Sequence, residues 1–495
     1  MMKKSILFVA IFAILFAGSC KKDPIKGEDG DGRDPKKEIE LKDLAYLYSI
    51  NLSLWEDLLP KPKNEEDINE IKSFTKNYKD AEGVLNGLRE FAVLDRFSFV
   101  DRTGEVSSEI QQGVYKETGA IPIFLYEAAG ATKAQMYIRL VQKGSPAAAA
   151  GLMRGMKVVS VNGDKDVLLD PNGSNSQNAI QLYQKFFTGD KLVLEVVSPD
   201  GKASTITVTG TSYKIDPILS NKVLDLNGKK VGYFAYTSFV NVYTEEEPNE
   251  HYNKMKAAFD GFAGVDELVI DLRYNGGGAT KSAEELSNFL VPTANGNSLM
   301  YKYKINKNFI KEGYGQVGKP FGPVNFNKKN NLNLKRVYFL VTKSSASASE
   351  LVINNLKPYM DVQIISTGNV GTYGKPVGFF ESPVLDGYAS LYITSFQMLN
   401  SIGEGDYFAG LIGTKKDAYE GFSKQLGDPT EGLLSEALYH IANGSYRSSS
   451  ASASIRKTSR SGKAEMEPSA KQPMSPHGIG MYKFADEIKS LPAAF

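Results

Sequence analysis

The sequence predicts a mixed α/β protein. An alternating domain over 213–444 is preceded by a helical domain over 40–112 and a module of short strands and turns over 113–212. Three observations carry this reading. Apolar runs of buried-strand length recur at 231–236, 267–272, 336–341 and 362–365, with helical patterns between them, which favours a partly parallel sheet. Before them, Gly, Asn-Gly and Ser-Pro signals punctuate short strand-like runs. Earlier still, apolar residues recur at helical spacing.

In the helical domain, Leu44, Leu47, Tyr48, Trp55 and Leu58 share one helix face, with Pro60 as the stop. Two further helices are expected over 66–78 and 81–94, and Asp95-Arg96-Phe97-Ser98-Phe99 closes the segment. In the module, strands are expected over 135–141, 155–161, 191–197 and 204–209. A short helix starts at Ser145-Pro146, a longer one covers 176–187, and Asn162-Gly163 makes a tight turn. In the α/β domain, Tyr252, Met255, Phe259 and Phe262 face one way along a helix. Asp428-Pro429 is suited to cap a last helix that turns Leu434, Leu438 and Ile441 inward. The tail 445–495 opens Ser-rich and basic and is expected to be disordered.

At 495 residues, two to four domains are expected, and 42% hydrophobic residues supply ample core. A net charge of +1 offers no field for nucleic acid. One cysteine excludes an internal disulfide, and His251, His440 and His477 stand far apart, so no metal site or cofactor is expected. The cysteine has another explanation. Lys3 and Lys4, an apolar run over 6–16 and Ala17-Gly18-Ser19 describe a cleaved leader over 1–19. Cys20 directly after the small residues resembles a bacterial lipobox, with a flexible Gly/Asp/Lys/Pro tether over 20–39. The chain would then sit in the bacterial envelope, held to the membrane by lipid.

Three motifs carry chemistry. Ser345-Ala346-Ser347-Ala348-Ser349-Glu350 falls between a buried strand and an apolar helix. That position aims a hydroxyl out of the sheet edge, beside unpaired backbone N–H groups and the positive helix end. The plainer reading is a helix cap made by Ser349 and Glu350. Asp271-Leu272-Arg273-Tyr274-Asn275-Gly276-Gly277-Gly278 follows another buried strand and lets backbone approach a bound carbonyl. It lacks the Gly-Lys-Ser/Thr ending and the GxGxxG spacing of phosphate loops. Thr372-Tyr373-Gly374-Lys375 offers a lysine that a poorly hydrated site could convert to a base.

The run KGSPAAAAGLMRGMKVVSVNG over 143–163 closely resembles the PDZ signature of bacterial envelope proteases. The order PDZ signature, DLRxNGGG, SASASE and TxGK resembles the carboxy-terminal processing, or tail-specific, serine proteases over roughly 55–442. The resemblance implies a crotonase-like protease core, Ser347 as nucleophile and Lys375 as general base. It implies an oxyanion hole from the backbone of Ala348 with Gly277 or Gly278, and polypeptide substrates; the PDZ-like module either reads their free C-termini or only spaces the domains apart. Two positions depart from the family. Phe379 stands where Gln often orients the lysine, and Pro358 where some members carry Asp. The PDZ carboxylate-binding loop is blurred, with 119–124 as the candidate. The missing orienting residues keep a catalytically weak or inactive peptide-binding scaffold as a second reading, and a ligand-binding or carbohydrate-related crotonase-like domain is a third.

Overall fold

The computed structural model describes residues 33–128, 131–170, 176–368, 371–448, 467–468 and 480–483. Cys20, the leader and most of the tether lie outside the described residues, as does most of the tail.

The organising element is a five-stranded sheet ordered Ile218–Leu226, Lys229–Tyr236, Glu267–Asp271, Arg336–Val341, Asp361–Ser366. The first pair is antiparallel and the remaining three are parallel. Period-two alternation splits each inner strand between two cores. Phe234, Tyr236, Leu268, Ile270, Val337 and Phe339 face one core. Val231, Tyr233, Val269, Tyr338 and Leu340 face the other, under the helix Gly432–Asn443. A second sheet runs Gly277–Ala279, Gly480–Lys483, Val377–Val384, Ala389–Asn400, Leu299–Ile305, Val324–Asn325, with Phe99–Asp101 paired to Ala389–Asn400. The helices Thr280–Leu290 and Ala348–Leu356 are themselves almost wholly buried.

The module keeps its own core. Its sheet runs Ala120–Tyr126, Ala134–Val141, Lys157–Val161, Lys191–Val197, Ala203–Thr209. Ser145 caps the short helix Pro146–Ala149, and Asn162 and Gly163 both take positive φ, as a tight hairpin turn requires. Val114–Glu117 pairs with Thr211–Lys214, bringing the module's entry and exit together.

Several expectations are corrected. The first helix is Pro35–Leu52, capped by Asp34 with Pro35 in its first turn, so the tether ends sooner than expected. It stops before Trp55, and Leu58 is exposed. Its buried face is Leu41, Ala45, Tyr46 and Ile50, one position off the predicted stripe, because Leu44, Leu47 and Tyr48 are only half-buried. The next helices are shorter, Ile68–Thr75 and Ala81–Leu88. Their apolar residues join the same core as the two sheets and so do not close one of their own. The 119–124 candidate is a strand from Ala120 onward. The last helix begins at Gly432, not after Pro429, because Glu431 is its cap. The tail is not wholly without structure, since Gly480–Lys483 is a buried strand.

Glu431 explains its own correction. Its two carboxylate oxygens accept from Arg273 Nη1 and Nη2, each at 2.8 Å, and Oε2 also accepts from the Leu434 N–H at 3.1 Å. Arg273 is buried and also donates from Nε to Asp271 at 2.9 Å. This cation ties the end of one strand to the start of the last helix. Glu431→Ala leaves the guanidinium underpaired in the interior and should cost about 3–5 kcal/mol. Thermal melting of the variant against wild type measures it, and an unchanged midpoint would contradict this role.

Candidate active site

The site forms where two parallel strands deliver their C-terminal loops to the edge of the sheet, the usual place for ligands in such sheets. After Arg336–Val341 the chain turns at Ser345, whose hydroxyl donates to Leu272 O at 2.8 Å. After Glu267–Asp271 it turns through Asn275. The Asn275 side chain donates to Tyr236 O at 3.0 Å and accepts from Gly277 N–H at 2.9 Å. The Asn275 carbonyl accepts from Ala346 N–H at 3.1 Å and Ser349 Oγ at 2.9 Å. The serine turn and the glycine turn are thus stitched into one unit.

Ser347 sits at the junction with φ 60° and ψ −109°, directly before the helix Ala348–Leu356. A side-chain-bearing residue there costs about 1–3 kcal/mol, and such strain clusters where a side chain must be aimed. Its hydroxyl is buried and holds no hydrogen-bond partner among the described residues. Ala348 opens the helix, so its N–H falls in the first turn, where no intrahelical acceptor exists. Gly277 and Gly278, at φ 114° and 141°, approach closely. A β-carbon on Gly277 would come 3.0 Å from Ser347 Cβ, and one on Gly278 would collide with Phe239.

One carboxylate joins Ser347 to Lys375. Glu350 Oε2 accepts from the backbone N–H of Ser347 and of Lys375, both at 2.8 Å. Oε1 accepts from Gly374 N–H at 2.8 Å and from Thr372 Oγ1. Burial raises the Glu350 carboxyl above its ordinary range, against four hydrogen bonds that favour its ionised form. Sequence reasoning saw Glu350 only as a helix cap. The Ser-x-x-Glu spacing is indeed the reverse half of a capping box, but its second oxygen reaches a loop that no local pattern reveals.

Lys375 is buried, with its ammonium nitrogen 4.1 Å from the Phe379 ring centre and 5.1 Å from that of Phe97. Burial pushes its amine down to about 7, with Asp95 and Glu350 opposing part of the drop. Phe379, the departure from the expected Gln, packs against the amine. Phe97 and Asp95 come from the segment that the sequence assigned merely to closing the helical domain. That segment is anchored by Arg96 Nη2, which donates to Gly374 O at 3.1 Å and Phe408 O at 2.8 Å. Asp95 accepts from Thr394 Oγ1 at 2.9 Å. The module is tied to the same site. Arg154 donates to Tyr274 and to Glu420, and Arg139 lies 4.3 Å from the Tyr274 ring centre, next to Asn275.

Residues 230–412, which span both turns and Lys375, match peptidase family S41. Over this stretch the chain is similar to the S41 peptidases. The fold is also that of a chain assigned to the S41 proteases from Bacteroides fragilis. That likeness has a TM-score of 0.61 and 23% identity, over 81% of this chain and 97% of that one. A photosystem II D1 C-terminal processing protease matches over 77% of this chain and 92% of its own, with 16% identity. Its TM-score is 0.43, too weak a likeness to bear on the site. Among the described residues no cluster of His, Cys, Asp and Glu could hold a metal ion.

Glu350→Gln replaces an all-acceptor group by one whose amide nitrogen faces N–H donors. Two hydrogen bonds to a charged acceptor should be lost, at about 1.5–3 kcal/mol each. Thermal melting should fall accordingly, and peptidase turnover on an unfolded reporter by on the order of 100-fold. Full retention of both would contradict the bridging role.

Proposed function

We propose that this chain is a cell-envelope serine endopeptidase working through a Ser347–Lys375 dyad on a crotonase-like core. The observation that carries the reading is the Glu350 bridge. It ties the backbone of a strained serine, whose hydroxyl has no hydrogen-bond partner among the described residues, to the backbone of a buried lysine whose amine burial lowers to about 7.

In this scheme neutral Lys375 takes the Ser347 proton as Oγ attacks the substrate carbonyl. The developing oxyanion is received by backbone N–H groups of Ala348 and the glycine turn. Gly277 already donates to Asn275, which leaves Gly278 as the turn's contributor. The lysine then protonates the leaving amine, and water repeats the sequence on the acyl-enzyme. The reading as a catalytically weak or inactive scaffold rests on the missing Gln, and the Phe379 ring that replaces it lies over the lysine amine.

The PDZ-like module is proposed to capture polypeptides by strand addition, with Arg154 and Tyr274 linking it to the glycine turn. Cys20 is proposed to carry the lipid that holds the chain on the membrane. Among the described residues no helix is long and apolar enough to cross one.

Ser347→Ala and Lys375→Ala should each abolish cleavage of an unfolded test protein while melting like wild type. The double variant should be no worse than either single one, as expected for groups acting as one unit. The base is the neutral amine, so wild-type kcat/KM should rise as pH passes upward through about 7, the value to which burial brings Lys375. Robust cleavage by Ser347→Ala would end this assignment. Separately, Cys20→Ser should move the protein from the membrane pellet to the soluble fraction, and retention in the pellet would refute the lipid anchor.

A further inference from the structure

The strand Gly480–Lys483 lies within the site, although it falls outside the residues matched by the peptidase family. It is inserted between the glycine turn and the strand that follows Lys375. Gly277, Gly278 and Ala279 pair in parallel with Gly480, Met481 and Tyr482, and Phe379 pairs with Tyr482. Gly480 N–H donates to Gly276 O at 3.2 Å. In a parallel ladder this register turns the Gly480 carbonyl toward the Gly278 N–H, the donor assigned above to the oxyanion. The β-carbon that would sit 3.0 Å from Ser347 Cβ, were Gly277 an alanine, would also collide with the Gly480 carbonyl oxygen. A main-chain carbonyl of this chain therefore lies beside the candidate nucleophile.

The side chains fill subsites. Met481 and Tyr482 are fully buried. Tyr482 packs on Phe379 at 5.7 Å and on Tyr392 at 5.6 Å between ring centres, in the same apolar cluster as Phe97. Yet among the described residues its buried hydroxyl has no hydrogen-bond partner, unlike the great majority of buried polar groups. A β-carbon on Gly480 would press on the Tyr482 and Phe379 rings, so the position takes only the smallest residue while Tyr482 is in place. Earlier in the tail, Glu467 and Pro468 pair antiparallel with Tyr126 and Leu125, on the outer edge of the module's sheet. Strand addition at that edge is how an extended ligand would bind the module. One covalent segment thus touches both the module's edge strand and the cleft at Ser347.

We propose that the C-terminal strand Gly480–Lys483 occupies the substrate's own path, and that polypeptides reach Ser347 by displacing it. The proposal rests on the assigned dyad and adds two things to it. The cleft accepts substrate as an extended strand between 277–279 and 377–384, preferring a small residue followed by large apolar and aromatic ones. The chain carries its own competitor for that cleft.

The test uses full-length protein with Met481→Asp and Tyr482→Asp, which should eject the strand. Fluorophosphonate labelling of Ser347 should speed up by about fivefold or more, with the melting temperature of the body retained. A synthetic peptide of residues 478–484 should slow it again. In Ser347→Ala, an unfolded polypeptide in excess should accelerate amide hydrogen exchange at 481–483. Unchanged labelling in both variants, or labelling lost together with a collapsed melting temperature, would show instead a permanent structural strand and overturn the proposal. The exchange readout requires no chemistry at Ser347, so it decides the proposal even if no form is labelled. Absence of labelling in every form would count against the dyad alone.

Discussion

The Glu350 carboxylate holds Ser347, Gly374 and Lys375 by their backbone N–H groups and Thr372 by its hydroxyl. Burying a carboxylate costs several kcal/mol, and four donors offset that only if all four are in place. This makes the arrangement all-or-none. The serine turn cannot relax from its positive φ without losing a bond that also holds the lysine loop. The side chain that caps the helix also sets the distance between the two turns.

Around this centre the other elements act as supports. Asn275 locks the glycine turn to the serine turn, and Arg273 anchors the strand beneath them to the last helix. The N-terminal segment supplies Phe97 and Asp95 to the lysine, and Arg96 clamps it onto the loop before Lys375. The site is therefore assembled from chain regions nearly three hundred residues apart. Apolar rings exclude water from the amine, which lowers its proton affinity, while two carboxylates keep the drop moderate.

Much of this was legible in the sequence because it depends on local pattern. Buried parallel strands read as uninterrupted apolar runs, and those at 231–236, 267–272, 336–341 and 362–365 lie within a residue or two of the observed strands. The motifs around Ser347, the glycine turn and Lys375 were visible as loops following those strands. What was hidden was long-range. Nothing near Asp95 or Phe97 signals that they approach a lysine 280 and 278 residues later. The last helix starts late because Glu431 answers an arginine 158 residues away. The Ser-rich composition of the tail's opening concealed one short apolar stretch, Gly480–Lys483, whose burial depends wholly on a groove elsewhere. Single-residue choices were likewise opaque. Phe379 read as a missing orienting group, yet in the fold its ring covers the amine.

The most direct test of the central claim is the site and pH dependence of covalent fluorophosphonate attachment, followed by peptide mass mapping in wild type and Lys375→Ala. The account predicts an adduct on Ser347 alone, formed at a rate that rises through neutral pH and is lost in the variant. An adduct on Ser345 or Ser349, or equal rates with and without the lysine, would contradict it.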